Sequence, residues 1–260
     1  MSVIENNANN TLVKGTSGDD RIINNGSNVT IQAYAGDDDI YLNNRGNGGV
    51  KVFAGDGVDS LGCSAKNTYA DMGAGDDEAR IEGDPNYDSY STIDGGSGDD
   101  YLFSSVSYVT LRGGDGKDTL ETWGGNYANH VLLEDTSGSN KFWLSTDYST
   151  IIAGNGSDTI QQWGSHCLVS VSSGKNSIAS YAANYSQQQA PCSYNTIIGG
   201  KGADTLGVDG SKSKIYGGGG GDYISAPNNG NTIAGGAGDD IIWLDGRKSK
   251  NSVIQFGSGD

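Results

Sequence analysis

The chain has 260 residues, 43 glycines, only 34% hydrophobic residues and a formal net charge of −16 at pH 7. So few apolar residues do not fill the interior of an ordinary globular domain of this length, and the composition favours either disorder or a thin, repetitive core. The acidic charge disfavours nucleic acid and anionic membranes as partners. No apolar run approaches the length of a transmembrane helix, so we also expect no membrane insertion.

The beginning of the chain carries no recognisable targeting segment. Met1 to Asn10 are polar and lack the basic and apolar parts of a cleavable secretory signal. Residues 1–12 are interpreted as an opening strand or a frayed cap. From there one pattern repeats without a linker, which predicts a single domain over residues 1–260.

The repeat is clearest in Asn231–Ile242, which reads NTIAGGAGDDII. Each copy contains an Asp or Asn, here called the anchor, with a Gly two positions before it. Most anchors are 18 residues apart, as are Asp222 and Asp240. The twelve anchors are Asp20, Asp38, Asp59, Asp77, Asp100, Asp118, Asn140, Asp158, Asn176, Asp204, Asp222 and Asp240.

Apolar residues recur seven positions before and two positions after each anchor, from Val13 and Ile22 in the first copy to Ile233 and Ile242 in the last. Two apolar positions nine residues apart, with Gly and polar residues between them, predict two short strands that turn their side chains inward. A single copy cannot bury its apolar face, whereas a stack of copies can. The pattern therefore predicts an all-β solenoid of about 12 coils of 18 residues.

Four intervals between anchors are longer than 18 residues. Because the Gly-rich turn keeps its length, we place the extra residues in the opposite turns, here called the far turns. These insertions lie around Gly46, Tyr87 and Tyr127 and between Tyr181 and Tyr194. One uniform edge and one variable edge are typical of a structural edge and a binding edge in repeat proteins.

The stacked anchors create an electrostatic problem. Neighbouring strands lie about 4.8 Å apart, so adjacent carboxylates would repel by roughly 3–4 kcal/mol at an effective dielectric constant near 20. That exceeds what one additional buried Ile or Leu contributes. The column is therefore expected to need bound cations between its rungs.

The end of the chain begins a thirteenth copy, with Ile254 as its first apolar rung and Gly259 as its turn Gly. We expect further repeats or domains beyond Asp260, or a partner chain that covers the free sheet end. Of the three cysteines, Cys63 and Cys167 lie in inward register and are expected to be buried thiols. A Cys167–Cys192 disulfide is left open.

Several copies closely match a known motif: GGSGDDYL at Gly95–Leu102, GGDGKDTL at Gly113–Leu120, GGKGADTL at Gly199–Leu206 and GGAGDDII at Gly235–Ile242. They resemble the nonapeptide of the RTX, or hemolysin-type, calcium-binding repeat proteins. The resemblance implies a right-handed parallel β-roll with calcium between successive turns. It also implies secretion or display at the cell surface through a C-terminal signal outside this chain.

The resemblance implies calcium ligands at the anchor carboxylates together with backbone carbonyls, and oxygen ligands on a flexible turn suit calcium better than magnesium. The motif recurs every 18 residues here and not every nine, so we expect several ions in one column. Sites bounded by Asn140 and Asn176 are expected to be weak or empty. The expected metal residues are Asp20, Asp38, Asp59, Asp77, Asp100, Asp118, Asp158, Asp204, Asp222 and Asp240.

Aromatic residues at outward positions form a second candidate site. Trp123, Trp143, Trp163 and Tyr181 occupy consecutive coils near residues 118–204, where both Asn anchors and the longest insertion also lie. Flat rings on a rigid sheet would stack on sugars or anchor a surface protein, or would simply cover neighbouring strands.

The function expected from the sequence is a secreted, calcium-binding structural or adhesive module. The alternative is a module of a secreted polysaccharide-acting enzyme, of the lyase or epimerase type. We find no motif of a serine hydrolase or zinc protease and no acid–His pair that the register brings together. An enzyme is therefore the less favoured interpretation, and no catalytic residue is assigned.

Overall fold

The computed structural model describes residues 1–43, 48–83, 88–123, 129–181 and 192–258. These residues form short parallel strands and contain no helix of the length and hydropathy needed to cross a membrane. The chain divides into two compact units, Met1–Glu134 and Asp135–Asp260. Odd-numbered strands belong to one parallel sheet and even-numbered strands to a second.

The strands of the first unit alternate between the two sheets. Its odd strands are β1 (Ser2–Asn6), β3 (Asp20–Asn24), β5 (Asp39–Leu42), β7 (Ser60–Cys63), β9 (Glu78–Ile81), β11 (Tyr101–Ser104) and β13 (Thr119–Thr122). Its even strands are β2 (Leu12–Lys14), β4 (Thr30–Ala35), β6 (Lys51–Asp56), β8 (Tyr69–Ala74), β10 (Asp88–Ser97), β12 (Ser107–Asp115) and β14 (Leu132–Glu134).

The second unit repeats the scheme. Its odd strands are β15 (Lys141–Leu144), β17 (Thr159–Gln162), β19 (Ser177–Ser180), β21 (Thr205–Val208), β23 (Tyr223–Ser225) and β25 (Ile241–Trp243). Its even strands are β16 (Thr150–Asn155), β18 (Leu168–Ser173), β20 (Thr196–Ile198), β22 (Lys214–Gly219), β24 (Thr232–Ala237) and β26 (Val253–Gln255). The fold is a parallel β-solenoid of about 13 turns, as the repeat predicts.

The two apolar positions of the repeat stack in register. In the odd strands Ile22 pairs with Ile40, and Ile160 pairs with Ile178. In the even strands Val13 pairs with Ile31. All of the predicted apolar residues are buried except Ile242, which is half-buried. This confirms the two apolar ladders as the core of each unit.

The structure adds a turn at the beginning of the solenoid. β1 pairs with β3 and places Ser2 opposite Asp20, so residues 2–6 form a regular rung and not a frayed cap. At the other end, β26 pairs Ile254 with Ile233, which confirms the thirteenth copy. Gly259 lies outside the described residues.

The insertions fall between an odd strand and the following even strand, as predicted. Residues 44–47, 84–87, 124–128 and 182–191, which contain most of the inserted segments, lie outside the described residues. Cys63, Cys167 and Cys192 are all buried and free, so the expected buried thiols are confirmed and the structure contains no Cys167–Cys192 disulfide.

Candidate metal centre along the glycine-rich turns

The anchors form a hydrogen-bond ladder along each unit. The backbone N–H of one anchor donates to Oδ1 of the anchor in the next coil, with N···O distances of 2.7–2.9 Å. The carboxylate at each rung is thereby fixed by backbone geometry and points into the turn. The acceptors in this ladder are Asp38, Asp59, Asp77, Asp100, Asp118, Asp158, Asn176, Asp204, Asp222 and Asp240.

The second carboxylate oxygen, Oδ2, lacks a hydrogen-bond donor in most of the Asp anchors. In eight anchors Oδ2 is buried and accepts no hydrogen bond from the protein. An unsatisfied buried polar atom typically destabilises a fold by about 1–3 kcal/mol, and an ionised one by more. These eight are Asp38, Asp59, Asp77, Asp100, Asp158, Asp204, Asp222 and Asp240.

Burial of these groups disfavours their ionised form. Burial, partly offset by the backbone N–H bond, raises the pKa of Asp38, Asp59, Asp77 and Asp204 to about 6. The pKa of Asp100 rises to about 7, through burial and the neighbouring carboxylates. A positive charge placed in the turn would reverse this preference and stabilise the carboxylates.

Backbone oxygen atoms converge on the same space. At Gly95, the first Gly of its turn, the point where a Cβ atom would stand is 2.3 Å from Asp100 Oδ2 and 2.6 Å from the carbonyl oxygen of Gly113 in the next coil. The turn thus has a cradle lined by a carboxylate oxygen and a carbonyl oxygen. Both atoms are hydrogen-bond acceptors when Asp100 is ionised, so such a cradle suits a cation.

The two Asn anchors form hydrogen bonds within their own turns through the side-chain amide. The Asn140 backbone N–H donates to Asp158 Oδ1 in the ladder, and Asn140 Nδ2 donates to the carbonyl oxygen of Ser137 at 2.9 Å. Asn176 Nδ2 donates to the Gly174 carbonyl at 3.5 Å. An amide hydrogen therefore stands where the Asp coils present only oxygen. These two coils have no need of a cation.

Asp20, although predicted as a metal ligand, is also satisfied by protein groups. Its Oδ2 accepts the Thr16 backbone N–H, and its Oδ1 accepts the hydroxyls of Ser2 and Thr16. Burial raises the pKa of Asp20, but these hydrogen bonds outweigh burial and leave the pKa below its usual value. Asp20 therefore lacks the unsatisfied oxygen of the eight Asp anchors named above.

A second ladder, which the sequence reasoning missed, runs beside the first. Residues one position before the anchor accept a backbone N–H from the next coil, as Asp76 Oδ1 does from Asp99 and Asp99 Oδ1 from Lys117. These carboxylates are exposed. The sequence did contain a signal for this second ladder. In the pairs Asp19–Asp20 and Asp99–Asp100 an acidic residue directly precedes the anchor, and both acidic residues recur at the interval of the repeat.

The far turns repeat the ladder with neutral groups. Cys167 N–H donates to Asn195 Oδ1 at 2.8 Å, and Ser213 N–H donates to Asn231 Oδ1 at 2.9 Å. Asn231 Nδ2 in turn donates to the Gly210 carbonyl at 3.2 Å. In these far-turn hydrogen bonds, neutral side chains bond to the backbone, and no ionised group takes part.

Metal-ligating side chains do not cluster in the described parts of the chain. These residues contain no group of three or more His, Cys, Asp or Glu side chains positioned around one point. A cation in the anchor column would therefore be held by one or two carboxylates and by backbone carbonyls. Such an all-oxygen set fits calcium, which accepts six to eight oxygen ligands in flexible geometry.

Trp143 lies in β15, whereas Trp123, Trp163 and Tyr181 directly follow the last residues of β13, β17 and β19. Trp123 is 63% exposed, Trp143 39% and Tyr181 37%. The rings of Trp163 and Tyr181 stack on each other, with centroids 5.4 Å apart and planes 24° apart. Trp163 and Tyr181 thus cover one another's faces, whereas Trp123 has most of its surface open.

A column of rings on the far turns was not anticipated. The far turns contain a residue in left-handed backbone conformation, with φ between +49° and +62°, and several of these residues are Tyr or His. His130 stacks on Tyr108 with centroids 4.9 Å apart, and His166 lies between Tyr148 and Tyr194. Both histidines therefore serve in ring stacks.

Comparison with models of known families found no matching family, and comparison with curated proteins found no similar sequence. The function of this chain is therefore inferred from the geometry of its turns and from the motif in its sequence.

Proposed function

We propose that this chain is a calcium-binding β-roll module of the RTX type, with a structural or adhesive role outside the cell. The observation that carries the proposal is the row of buried anchor Oδ2 atoms without a hydrogen-bond donor. The GGxGxD motif and the convergence of Asp100 Oδ2 with the Gly113 carbonyl support the same conclusion.

Calcium, when bound, would supply the positive charge that the column of carboxylates lacks. The protein's own part is to hold each carboxylate by an Oδ1 hydrogen bond and to turn Oδ2 toward the carbonyls of the Gly-rich turn. Since the anchors are brought together only by stacked coils, binding is coupled to folding. The ions would form one column along one edge.

The test is a calcium titration of the calcium-stripped chain, followed by far-UV circular dichroism and thermal unfolding. We expect calcium to increase the β signal or to raise Tm with increasing concentration, and magnesium to act far more weakly. A chain that is fully folded without calcium, and whose spectrum and Tm do not change on its addition, would contradict the proposal.

The exposed aromatic face is the proposed contact for a glycan or a surface protein. Trp123 supports this part, because it is 63% exposed and directly follows β13. We expect the calcium-loaded chain to be retained on a glycan array without turnover, and Trp123→Ala to weaken retention while Val58→Ala, at another exposed apolar position, does not. Turnover of a polysaccharide would instead favour the enzyme alternative.

A further inference from the structure

The residue five positions before each anchor, here called the pre-turn residue, differs between coils in a way that bears on the proposed calcium sites. This residue ends the inward-facing part of an even strand and lies directly beside the anchor carboxylate. It is Gly in some Asp coils and carries a side chain in others. Gly pre-turn residues beside Asp anchors are Gly15, Gly95, Gly113, Gly199, Gly217 and Gly235, and the others are Ala33, Ala54, Met72 and Ala153.

The Gly coils leave space for oxygen atoms. At Gly217 the position of a Cβ atom would be 2.4 Å from Asp222 Oδ2 and 2.4 Å from the Gly235 carbonyl oxygen. At Gly199 the distances are 2.9 Å to Asp204 Oδ2 and 2.5 Å to the Gly217 carbonyl oxygen. Together with Gly95, these coils show the same cradle, formed by two oxygens from successive coils.

The other coils fill that space with carbon. Real Cβ atoms do not approach an oxygen closer than 3.0 Å, so an Ala or Met excludes the arrangement seen at Gly95 and Gly217. Ala33, Ala54 and Met72 have no exposed surface and are the last buried residues of β4, β6 and β8. Met72 is among the largest fully buried side chains.

We propose that, among the anchors whose Oδ2 accepts no hydrogen bond from the protein, the pre-turn residue decides which bind calcium. This inference rests on the proposed function and refines it. Gly95, Gly199 and Gly217 give calcium access to Asp100, Asp204 and Asp222. Ala33, Ala54 and Met72 deny calcium access to Asp38, Asp59 and Asp77, although these carboxylates occupy the same ladder. The ion column is therefore interrupted, with separate runs of occupied coils.

The decisive variant is Gly217→Ala. Gly217 has no left-handed φ, so Ala is compatible with its backbone torsion angles, and the added methyl group collides with the two cradle oxygens, Asp222 Oδ2 and the Gly235 carbonyl. Gly219→Ala is the matched control, since a Cβ there would meet nothing within 4 Å. Calcium bound per chain is measured by equilibrium dialysis, with circular dichroism to confirm the fold.

We expect Gly217→Ala to lose one calcium ion per chain and Gly219→Ala to bind as many as the unmodified chain. The reverse variant, Ala54→Gly, opens a cradle beside Asp59 and is expected to gain one ion. This second variant also decides the matter if Gly217→Ala does not fold, because Ala54→Gly removes a methyl group and adds no steric contact.

The outcomes separate this inference from the proposed function. If the unmodified chain binds no calcium, both are wrong. If the chain binds calcium but Gly217→Ala keeps every ion, or Ala54→Gly gains none, calcium binding stands and the role of the pre-turn residue is overturned.

Discussion

At the scale of single residues, the anchor is a carboxylate of which only one oxygen is satisfied. Oδ1 belongs to the ladder, whereas Oδ2 of Asp222 is buried without a donor. Asn140 shows the isosteric alternative, because its Nδ2 supplies the missing hydrogen to a turn carbonyl. Under the proposed function, the Asp therefore lowers the stability of the calcium-free fold and provides the oxygen that binds the cation.

This contrast predicts opposite effects of Asp222→Asn with and without calcium. In calcium-free buffer we expect the free energy of unfolding to rise by about 1–3 kcal/mol, because an unsatisfied oxygen is replaced by a donor. In millimolar calcium the same variant is expected to be less stable than the unmodified chain. Denaturant unfolding in both buffers provides the measurement.

Asp209→Asn is the control. Asp209 is exposed, and its substitution removes the same charge as Asp222→Asn. If Asp209→Asn reproduces both effects, net charge and not the anchor geometry is responsible.

The turn Gly two positions before the anchor has a steric role. Gly75 has φ +141°, and a Cβ atom there would lie 1.7 Å from the Gly57 carbonyl oxygen. We expect Gly75→Ala to lower the free energy of unfolding by about 2 kcal/mol or more. Gly18→Ala, at the equivalent position with nothing within 4 Å, is expected to change it by less than about 0.5 kcal/mol. Equal losses in denaturant unfolding would show that the close approach does not matter.

At the scale of elements, the anchor ladder couples carboxylates along a whole edge. Each rung is a strand end, so the carboxylates stack at the spacing of a parallel sheet and are buried together. The second ladder of exposed acids, at Asp76 and Asp99, places more negative charge beside the first. Element geometry thus converts ordinary Asp residues into groups that resist ionisation.

The raised pKa values predict that the calcium-free fold loses stability as pH rises. Groups whose pKa is higher in the folded chain than the usual 3.8 bind protons more tightly when folded. Their stabilising contribution is therefore full below about pH 4. It is lost as pH rises through about 6 for Asp59 and Asp77 and about 7 for Asp100.

We expect Tm of the calcium-stripped chain to be higher at pH 4.5 than at pH 7.5, as followed by circular dichroism. Calcium should abolish or reverse the difference, because cation binding requires the ionised form. A calcium-stripped chain that is more stable at pH 7.5 would contradict the assignment of the anchors as buried, disfavoured carboxylates.

At the scale of the whole molecule, each unit has a thin core made of the two apolar ladders and of flanking inward residues such as Leu42 and Leu144. Every coil contributes one rung to each ladder and contacts only its neighbours, so stability is the sum of many similar increments. A cavity at one rung has no large surrounding core to absorb it.

Ile160→Ala is therefore expected to lower the free energy of unfolding by about 2–5 kcal/mol, the range for a large side chain in a packed core. Ile160 has no exposed surface, whereas Ile152, on a neighbouring even strand, is 40% exposed. Ile152→Ala, the matched control, should lower it by less than about 1 kcal/mol. Comparable losses for the two variants would show that the inward ladder is not the main source of stability.

The solenoid, the two apolar ladders, the position of the insertions and the shared register of the anchors could all be predicted from the amino-acid sequence. These features were readable because the 18-residue repeat displays every packing requirement many times, with Ile22, Ile40 and Leu61 each standing two positions after an anchor. Even the burial of Cys63 follows from its position in that register.

The chemical differences among anchors that share one position of the repeat became visible in the tertiary structure. The sequence places Asp20 and Asp222 in one class, but contacts with Ser2 and Thr16 satisfy Asp20, and Asp222 keeps an unsatisfied oxygen. The far-turn ring stacks of His130 and His166 were likewise hidden. The ring stacks join residues 18 or more positions apart, and Asp20 combines the nearby Thr16 with Ser2 of the neighbouring coil, so the deciding geometry depends on how one coil lies on the next.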